Sequence, residues 1–305
     1  VAVARIEGHG TMIEGFTQTR IDTGSVSLSV HRAGQGAPLI LLHGYPQTHA
    51  AWSRVAPALA ERFEVIAPDL RGYGDSDAPP DDPGHTVYSK REMANDIIGL
   101  MDALGIPRAH VLGHDRGARV AYRLALDHPE RTRRLGIIEV IPTGAFWDRW
   151  TADVALKAYH WTFLAQPHPL PERMIGADPV AYLDHTLKSW SLTRTLEAFT
   201  PGALDSYRRQ IADPVRLHAM CADYRAGATT DRALDEADRA AGRRITAPVH
   251  FLWAKGGFPA STGDPAAIWR DWAKTVTDES CESGHFAMEE NPKAVLDAFV
   301  PFFAP

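Results

Sequence analysis

One pentapeptide constrains this chain more than any other: Gly113-His114-Asp115-Arg116-Gly117. It follows the apolar run Ala109 to Leu112 and opens a helix-like run, Ala118 to Leu126. A strand, a sharp turn and a helix in that order hold one side chain up at the tip of the turn. The commoner form of such an elbow is G-x-S-x-G. Here a carboxylate, Asp115, stands where a serine hydroxyl usually would. Glycines at both i−2 and i+2 suit a tight elbow, whereas an Asp that merely caps a helix does not need them. A carboxylate is already ionised near neutral pH, so it is a nucleophile without a base to activate it.

The sequence around the elbow alternates in the same way. Ser25 to His31 reads as a strand, and Pro38 to Leu42 is a continuous apolar run suited to a strand buried on both faces. That run ends in the turn signal His43-Gly44-Tyr45-Pro46. Trp52 to Phe63 is expected to be helical, Val65 to Ala67 a short buried strand, and Asp69 to Asp77 a loop. Ser89 to Leu104 carries Met93, Ile97, Leu100, Met101 and Leu104 at helical spacing. Leu135 to Ile141 is a further strand. This order predicts an α/β fold, a mostly parallel sheet with helices on both faces.

The pattern changes after Pro142. From about Thr143 to Ala240 there is no convincing buried strand, and Trp, Tyr, Leu and Arg recur at helical spacings. An inserted helical cap is expected there. Val249 to Trp253 restarts the sheet, Ile268 to Lys274 is helical, Thr275 to Asp278 is a short strand, and Pro292 to Phe303 is a closing helix. The expected organisation is an N-terminal extension (1–14), a first core part (15–142), a cap (143–243) and a second core part (244–305). Residues Val1 to Thr11 are not periodic and are set aside from the fold.

Composition excludes several classes. The chain has 305 residues, enough for one large domain with an insertion, and a net charge of −6 with no basic run, which argues against nucleic-acid binding. No stretch approaches the roughly 20 apolar residues that span a bilayer. No secretory signal is visible, and Cys221 and Cys281 do not suggest a disulfide framework, so a cytoplasmic location is the expectation.

In an elbow fold the working groups follow in the order nucleophile, acid, histidine. Asp115 fills the first place. His285, in Glu282-Ser283-Gly284-His285-Phe286 between the last strand and the last helix, fills the third. The loop after Trp253 offers no acid before Asp264, so Glu139, at the end of the strand after the elbow helix, is the expected acid. A Glu in an apolar run needs a partner, and a histidinium is a natural one. Backbone N–H groups near Tyr45 and at Arg116 would form an oxyanion hole. Arg116 and Arg119, three apart on one helical face, suggest a substrate held through its own carboxylate. His160, Trp161 and Tyr224 can all donate hydrogen bonds to a leaving group, although each taken singly is ordinary packing.

These pieces together resemble the haloacetate dehalogenases of the α/β-hydrolase fold, the fluoroacetate dehalogenases most of all. The resemblance rests on His43 to Thr48, Arg71 to Gly74, Gly113 to Arg119, Ile141 to Thr143, Tyr159 to Trp161, Cys221 to Ala226 and Ser283 to Phe286, in family order from roughly residue 15 onward. It implies that Asp115 displaces halide from the α-carbon of a small haloacid and forms an ester. It implies that His285 activates water to hydrolyse that ester, that Arg116 and Arg119 clamp the substrate carboxylate, and that His160, Trp161 and Tyr224 hold the halide. No cofactor or metal is implied, and a homodimer is common among such proteins. One departure matters: the family's acid is commonly Asp, and Glu139 stands at the matching position, as in related haloalkane dehalogenases. The extra methylene is expected to shift the imidazole unless the backbone compensates, at the expense of turnover rather than ester formation.

Two other readings remain at this stage. Epoxide hydrolases share the Asp nucleophile but use two cap tyrosines, and Arg116 and His160-Trp161 speak against them. A non-catalytic binder of small carboxylates would have no need for both Asp115 and His285.

Overall fold

The computed structural model describes residues 4–5 and 13–304. Among the described residues nine strands form one sheet: β1 (Ala4–Arg5), β2 (Thr17–Asp22), β3 (Ser27–Ala33), β4 (Ala37–Leu42), β5 (Phe63–Pro68), β6 (Ala109–His114), β7 (Thr132–Ile138), β8 (Val249–Ala254) and β9 (Val276–Cys281). Their spatial order is β1-β2-β3-β5-β4-β6-β7-β8-β9. From β5 across to β9 every pairing is parallel, while β1, β2 and β3 add antiparallel strands at one edge.

The apolar run of β4 shows why its residues form a central strand. Leu39 and Leu41 pack into the core on one face of the sheet, Ile40 and Leu42 into the core on the other. The period of two delivers apolar side chains to both layers, as a parallel sheet covered on both faces requires. The chain runs from β4 outward to β5 and then returns to place β6 on the other side of β4. Such a reversal opens a crevice beyond the carboxyl ends of the strands. The turn after β4 and the elbow after β6 both lie at that crevice.

The covering helices are α1 (Ala56–Ala60), α2 (Lys90–Ala103) and α3 (Asp115–Asp127). Between β7 and β8 lie α4 (Thr143–Trp147), α5 (Ala152–Lys157), α6 (Tyr159–Leu164), α7 (Leu170–Gly176), α8 (Pro179–Trp190), α9 (Pro201–Ala212), α10 (Pro214–Ala228) and α11 (Thr230–Ala240). The chain closes with α12 (Pro265–Trp272), α13 (Ala287–Glu290) and α14 (Pro292–Phe303). Among the described residues no helix is long and apolar enough to cross a membrane.

Several local expectations need correction. The helix expected from Trp52 to Phe63 is broken into a 3-10 turn, His49–Trp52, and the short α1, with Pro57 in the first turn of α1. Pro57 has no N–H to donate, so it starts a helix readily and cannot continue one. The strand expected to reach Ile141 ends at Ile138: the Glu139 N–H makes the last bond to β8, at Leu252 O, and its left-handed φ of 62° then turns the chain out of the sheet. The elbow helix begins at Asp115 rather than Ala118. Of the N-terminal stretch set aside above, Ala4–Arg5 pairs with β2, and the other residues up to Met12 lie outside the described residues. Strand β2 was not anticipated, since its alternation is nearly all polar.

Candidate active site

Asp115 sits at the start of α3 with φ 47°, in the left-handed region that disfavours a side chain. Such a residue costs about 1–3 kcal/mol and persists only where its surroundings leave no alternative. Here they are glycines. A Cβ at Gly113 would come within 2.5 Å of Ala118 Cα, and one at Gly117 within 2.3 Å of the carbonyl oxygens of Leu42 and His43. A Cβ at Gly44 would lie 2.4 Å from Asp115 Cβ. The β4 turn and the elbow are thus pressed together, and the contact brings the Tyr45 N–H to Asp115 Oδ1 at 2.9 Å. The Arg116 N–H belongs to the first turn of α3, where it has no intrahelical acceptor.

His285 approaches from the loop before α13. Its Nε2 is 3.6 Å from Asp115 Oδ2, and its Nδ1 is 3.9 Å from Glu139 Oε1. These are ion-pair separations rather than hydrogen bonds, and both ring nitrogens are without a hydrogen-bond partner. Burial opposes a charged imidazole, but the flanking Asp115 and Glu139 carboxylates outweigh it and push the His285 pKa up to about 9. Burial also opposes charge on Asp115; His285, His114 and Arg116 overcome it and hold that carboxyl well below the usual carboxylate range. Burial pushes the Glu139 carboxyl up, against the pull of His285 and two backbone donors. Those donors are Ala254 N–H to Oε2 at 2.7 Å and Phe258 N–H to Oε1 at 2.9 Å.

Other residues hold the histidine loop. Glu290 accepts the N–H groups of Gly284 and Phe286 on either side of His285, and that of Leu192 from the segment after α8. His114 Nε2 meets the His285 carbonyl at 2.7 Å, and Gln47 bridges His114 to the buried Glu289.

The two arginines differ. Arg119 is 2 % exposed and donates to Ile141 O at 2.9 Å and Thr143 Oγ1 at 3.0 Å, and its Nε has no partner. Among the described residues no carboxylate pairs with it, and burial lowers its pKa. It stacks over Trp161 at 4.6 Å. Arg116 is fully buried, and its charge is committed to Asp223 of α10, which also takes Lys90 and the Tyr73 hydroxyl. Only its Nη1 lacks a partner. The two arginines of the expected clamp thus sit in different settings: Arg119 lines the cavity beside Asp115, and Arg116 pairs with Asp223 and lies over Tyr224 at 4.4 Å. Asp223 and Lys90 went unread in the sequence. The signal was there in Asp223, a lone acid inside the otherwise apolar Met220-Cys221-Ala222-Asp223-Tyr224.

His160, Trp161 and Tyr224 converge. His160 and Tyr224 have ring centroids 5.6 Å apart, Trp161 and Tyr224 6.2 Å. Burial holds His160 well below its ordinary pKa, so it is a neutral imidazole; its Nδ1 and the Tyr224 hydroxyl have no partner. Asp115, Arg119, Glu139, His160, Trp161, Phe258 and His285 wall a cavity of about 20 Å³. A second cavity of about 320 Å³ shares Phe258 and His285 and is lined by Trp190, Gly257 and Leu192.

The profile of the alpha/beta hydrolase fold matches residues 37–292. The chain belongs to that family. A fluoroacetate dehalogenase from a Burkholderia species is 40% identical to this alpha/beta hydrolase over 281 residues, 92% of this chain and 91% of the relative. A soluble epoxide hydrolase from a Corynebacterium species is 34% identical over 303 residues, 98% of each. A crystal structure provisionally assigned to the alpha/beta hydrolases, from Nostoc sp PCC 7120, superposes with a TM-score of 0.92 at 45% identity, covering 95% of this chain and 98% of that one. This kinship makes the protein a hydrolase of the fold.

Proposed function

We propose that the protein hydrolyses a haloacetate, fluoroacetate or chloroacetate, to glycolate and halide. The observation that carries the reading is Arg119: a buried guanidinium in the cavity wall with no carboxylate partner among the described residues. An uncompensated buried cation is costly unless a ligand supplies the anion. The substrate carboxylate is that anion, with Arg116 Nη1 as a second free donor.

Asp115 Oδ1 is held by the Tyr45 N–H, which leaves Oδ2 to attack the α-carbon. The carbon–oxygen bond forms as the carbon–halogen bond breaks, and the halide leaves toward His160, Trp161 and Tyr224. Their donors replace part of its lost hydration. In the second step water attacks the ester at the Asp115 carboxyl carbon. Charge then develops on Oδ1, where the Tyr45 and Arg116 N–H groups stabilise it. His285 takes the proton from water, glycolate leaves, and one proton is released overall.

His285 is charged in the resting site, because two carboxylates face it. Ester formation abolishes the Asp115 charge. The imidazole then gives up its proton more readily, so a base appears at the step that needs one.

The test is ion-selective detection of fluoride and chloride from the two haloacetates, with Asp115→Asn as the dead control. Halide release by Asp115→Asn at the wild-type rate overturns the nucleophile. An epoxide is run alongside, because the 34% identical relative is a soluble epoxide hydrolase; epoxide turnover without halide release would favour that second reading.

A further inference from the structure

Glu139 departs from the acid the resemblance implied, and the structure contains what accommodates it. On leaving β7 with φ 62°, Glu139 lays its carboxylate against the backbone of residues 254–258. A Cβ at Gly257 would stand 1.5 Å from Glu139 Oε1 and 2.4 Å from its Cδ, inside the carboxylate itself. The adjacent Gly256 is unlike it: a Cβ there would meet nothing closer than Ser283 O at 3.6 Å and Leu192 Cδ1 at 3.8 Å. Neither glycine is among those with positive φ, so backbone conformation demands neither. Only Gly257 is required, and what it admits is the end of a side chain one methylene longer than Asp.

We propose that Gly257 is a positioning residue for His285, acting through Glu139. Its missing side chain lets the longer acid fold back so that Oε1 faces Nδ1. Glu139 and Gly257 form a length-matched pair. The proposal rests on the hydrolytic reading above, in which His285 serves the second step. The same oxygen that a Cβ would displace accepts the Phe258 N–H and faces His285 at 3.9 Å. Displacing it therefore loosens the imidazole and the loop together. Asp115 attack needs neither, so ester formation should survive.

The test compares wild type with Gly256→Ala, Gly257→Ala, Glu139→Asp and the Glu139→Asp/Gly257→Ala pair. Rapid-quench halide release is read against steady-state turnover of fluoroacetate and chloroacetate. Gly256→Ala should behave as wild type. Gly257→Ala should keep a burst of about one halide per site while turnover falls about 100-fold, the scale of a 1 Å misplacement. Adding Glu139→Asp withdraws the carboxylate by one carbon–carbon bond, about 1.5 Å, and should recover about tenfold or more. A purely structural role for Gly257 would not be relieved by a change at residue 139. If Gly257→Ala alone fails to fold, the comparison of Glu139→Asp with the pair decides, since the added methyl at Gly257 should then be nearly neutral.

Wild-type turnover by Gly257→Ala overturns the proposal, as does a folded pair no better than Gly257→Ala. If wild type releases no halide and opens an epoxide instead, the function reading fails by itself. The same variants are then ranked on the epoxide, with the same order expected.

Discussion

Replacing Asp115 by Asn removes one of the two negative charges that hold the His285 proton. The pKa of His285 stands at about 9, with Asp115 Oδ2 3.6 Å from Nε2 and Glu139 Oε1 3.9 Å from Nδ1. Unit charges 3.6 Å apart in an effective dielectric near 20 attract by about 4.6 kcal/mol, roughly three pKa units. Asn keeps the shape of Asp115 and can retain the Tyr45 N–H bond through its own carbonyl oxygen. His285 should therefore titrate at roughly 6 in Asp115→Asn. The assay is an NMR titration of 15N-labelled histidine in both proteins, following the two ring nitrogens. Glu139→Gln, losing a negative charge 3.9 Å away, should give a downward shift of similar size. A midpoint in Asp115→Asn within about one unit of wild type would refute the coupling, and with it the idea that ester formation switches the base on.

Arg119→Ala should raise KM for fluoroacetate and chloroacetate about 10- to 100-fold, the value of a charge-assisted hydrogen bond of about 1.5–3 kcal/mol. Neutral haloalkanes should not improve, and an unchanged KM would remove Arg119 from substrate binding. Asp223→Asn deprives Lys90 and Arg116 of their shared carboxylate and should cost about 3–5 kcal/mol in urea unfolding; a loss below about 1 kcal/mol would contradict the pairing. Burial pushes the His31 and His114 pKa values down to about 3, against 6.5 unfolded. The unfolded chain then takes up protons that the folded one refuses. Stability should be whole above pH 6.5 and fall toward pH 3, by roughly 1.4 kcal/mol per group per pH unit. His285 acts oppositely: its contribution is whole below pH 6.5 and lost as pH rises through 9. Denaturation midpoints should peak near neutrality, and a steady rise from about pH 5 to about pH 9 would contradict the signs.

What the sequence disclosed was local punctuation. The glycines of the elbow, the His-Gly after β4 and the loop around His285 each announce a backbone shape. The structure brings Asp115, His285, Glu139, Arg119, His160 and Trp161 around one small space, with the Tyr224 ring against His160 and the Tyr45 N–H on Asp115. Partnerships across the fold were not legible. Arg116 was read with its neighbour three residues on, while its partner lies 107 residues away on α10. A helix face shows which residues share a side, but not which opposing element carries the countercharge. In the sequence Gly257 is only part of a loop that offers no acid before Asp264. Its meaning depends on Glu139, and the two meet only because β7 and β8 are neighbours in the sheet. The polar alternation of β2 was passed over because a strand near a sheet edge has little apolar pattern to show.

Asp223 has a consequence for how molecules reach the site. It lies on α10, between β7 and β8 in sequence, and its three partners, Tyr73, Lys90 and Arg116, come from segments that precede those helices. Swinging the inserted helices away would break both ion pairs of Asp223 and its bond from Tyr73, which opposes opening of these helices as one body. These contacts tie the inserted helices to the core. Traffic to Asp115 is left to side chains at the boundary of the two cavities, where Phe258 and His285 stand and Trp190 packs against both. Turning the Phe258 or Trp190 ring breaks no ion pair, unlike turning that of His285. Entry and exit are then matters of rotamer exchange, and viscosity should slow them far less than it would slow a rotating domain.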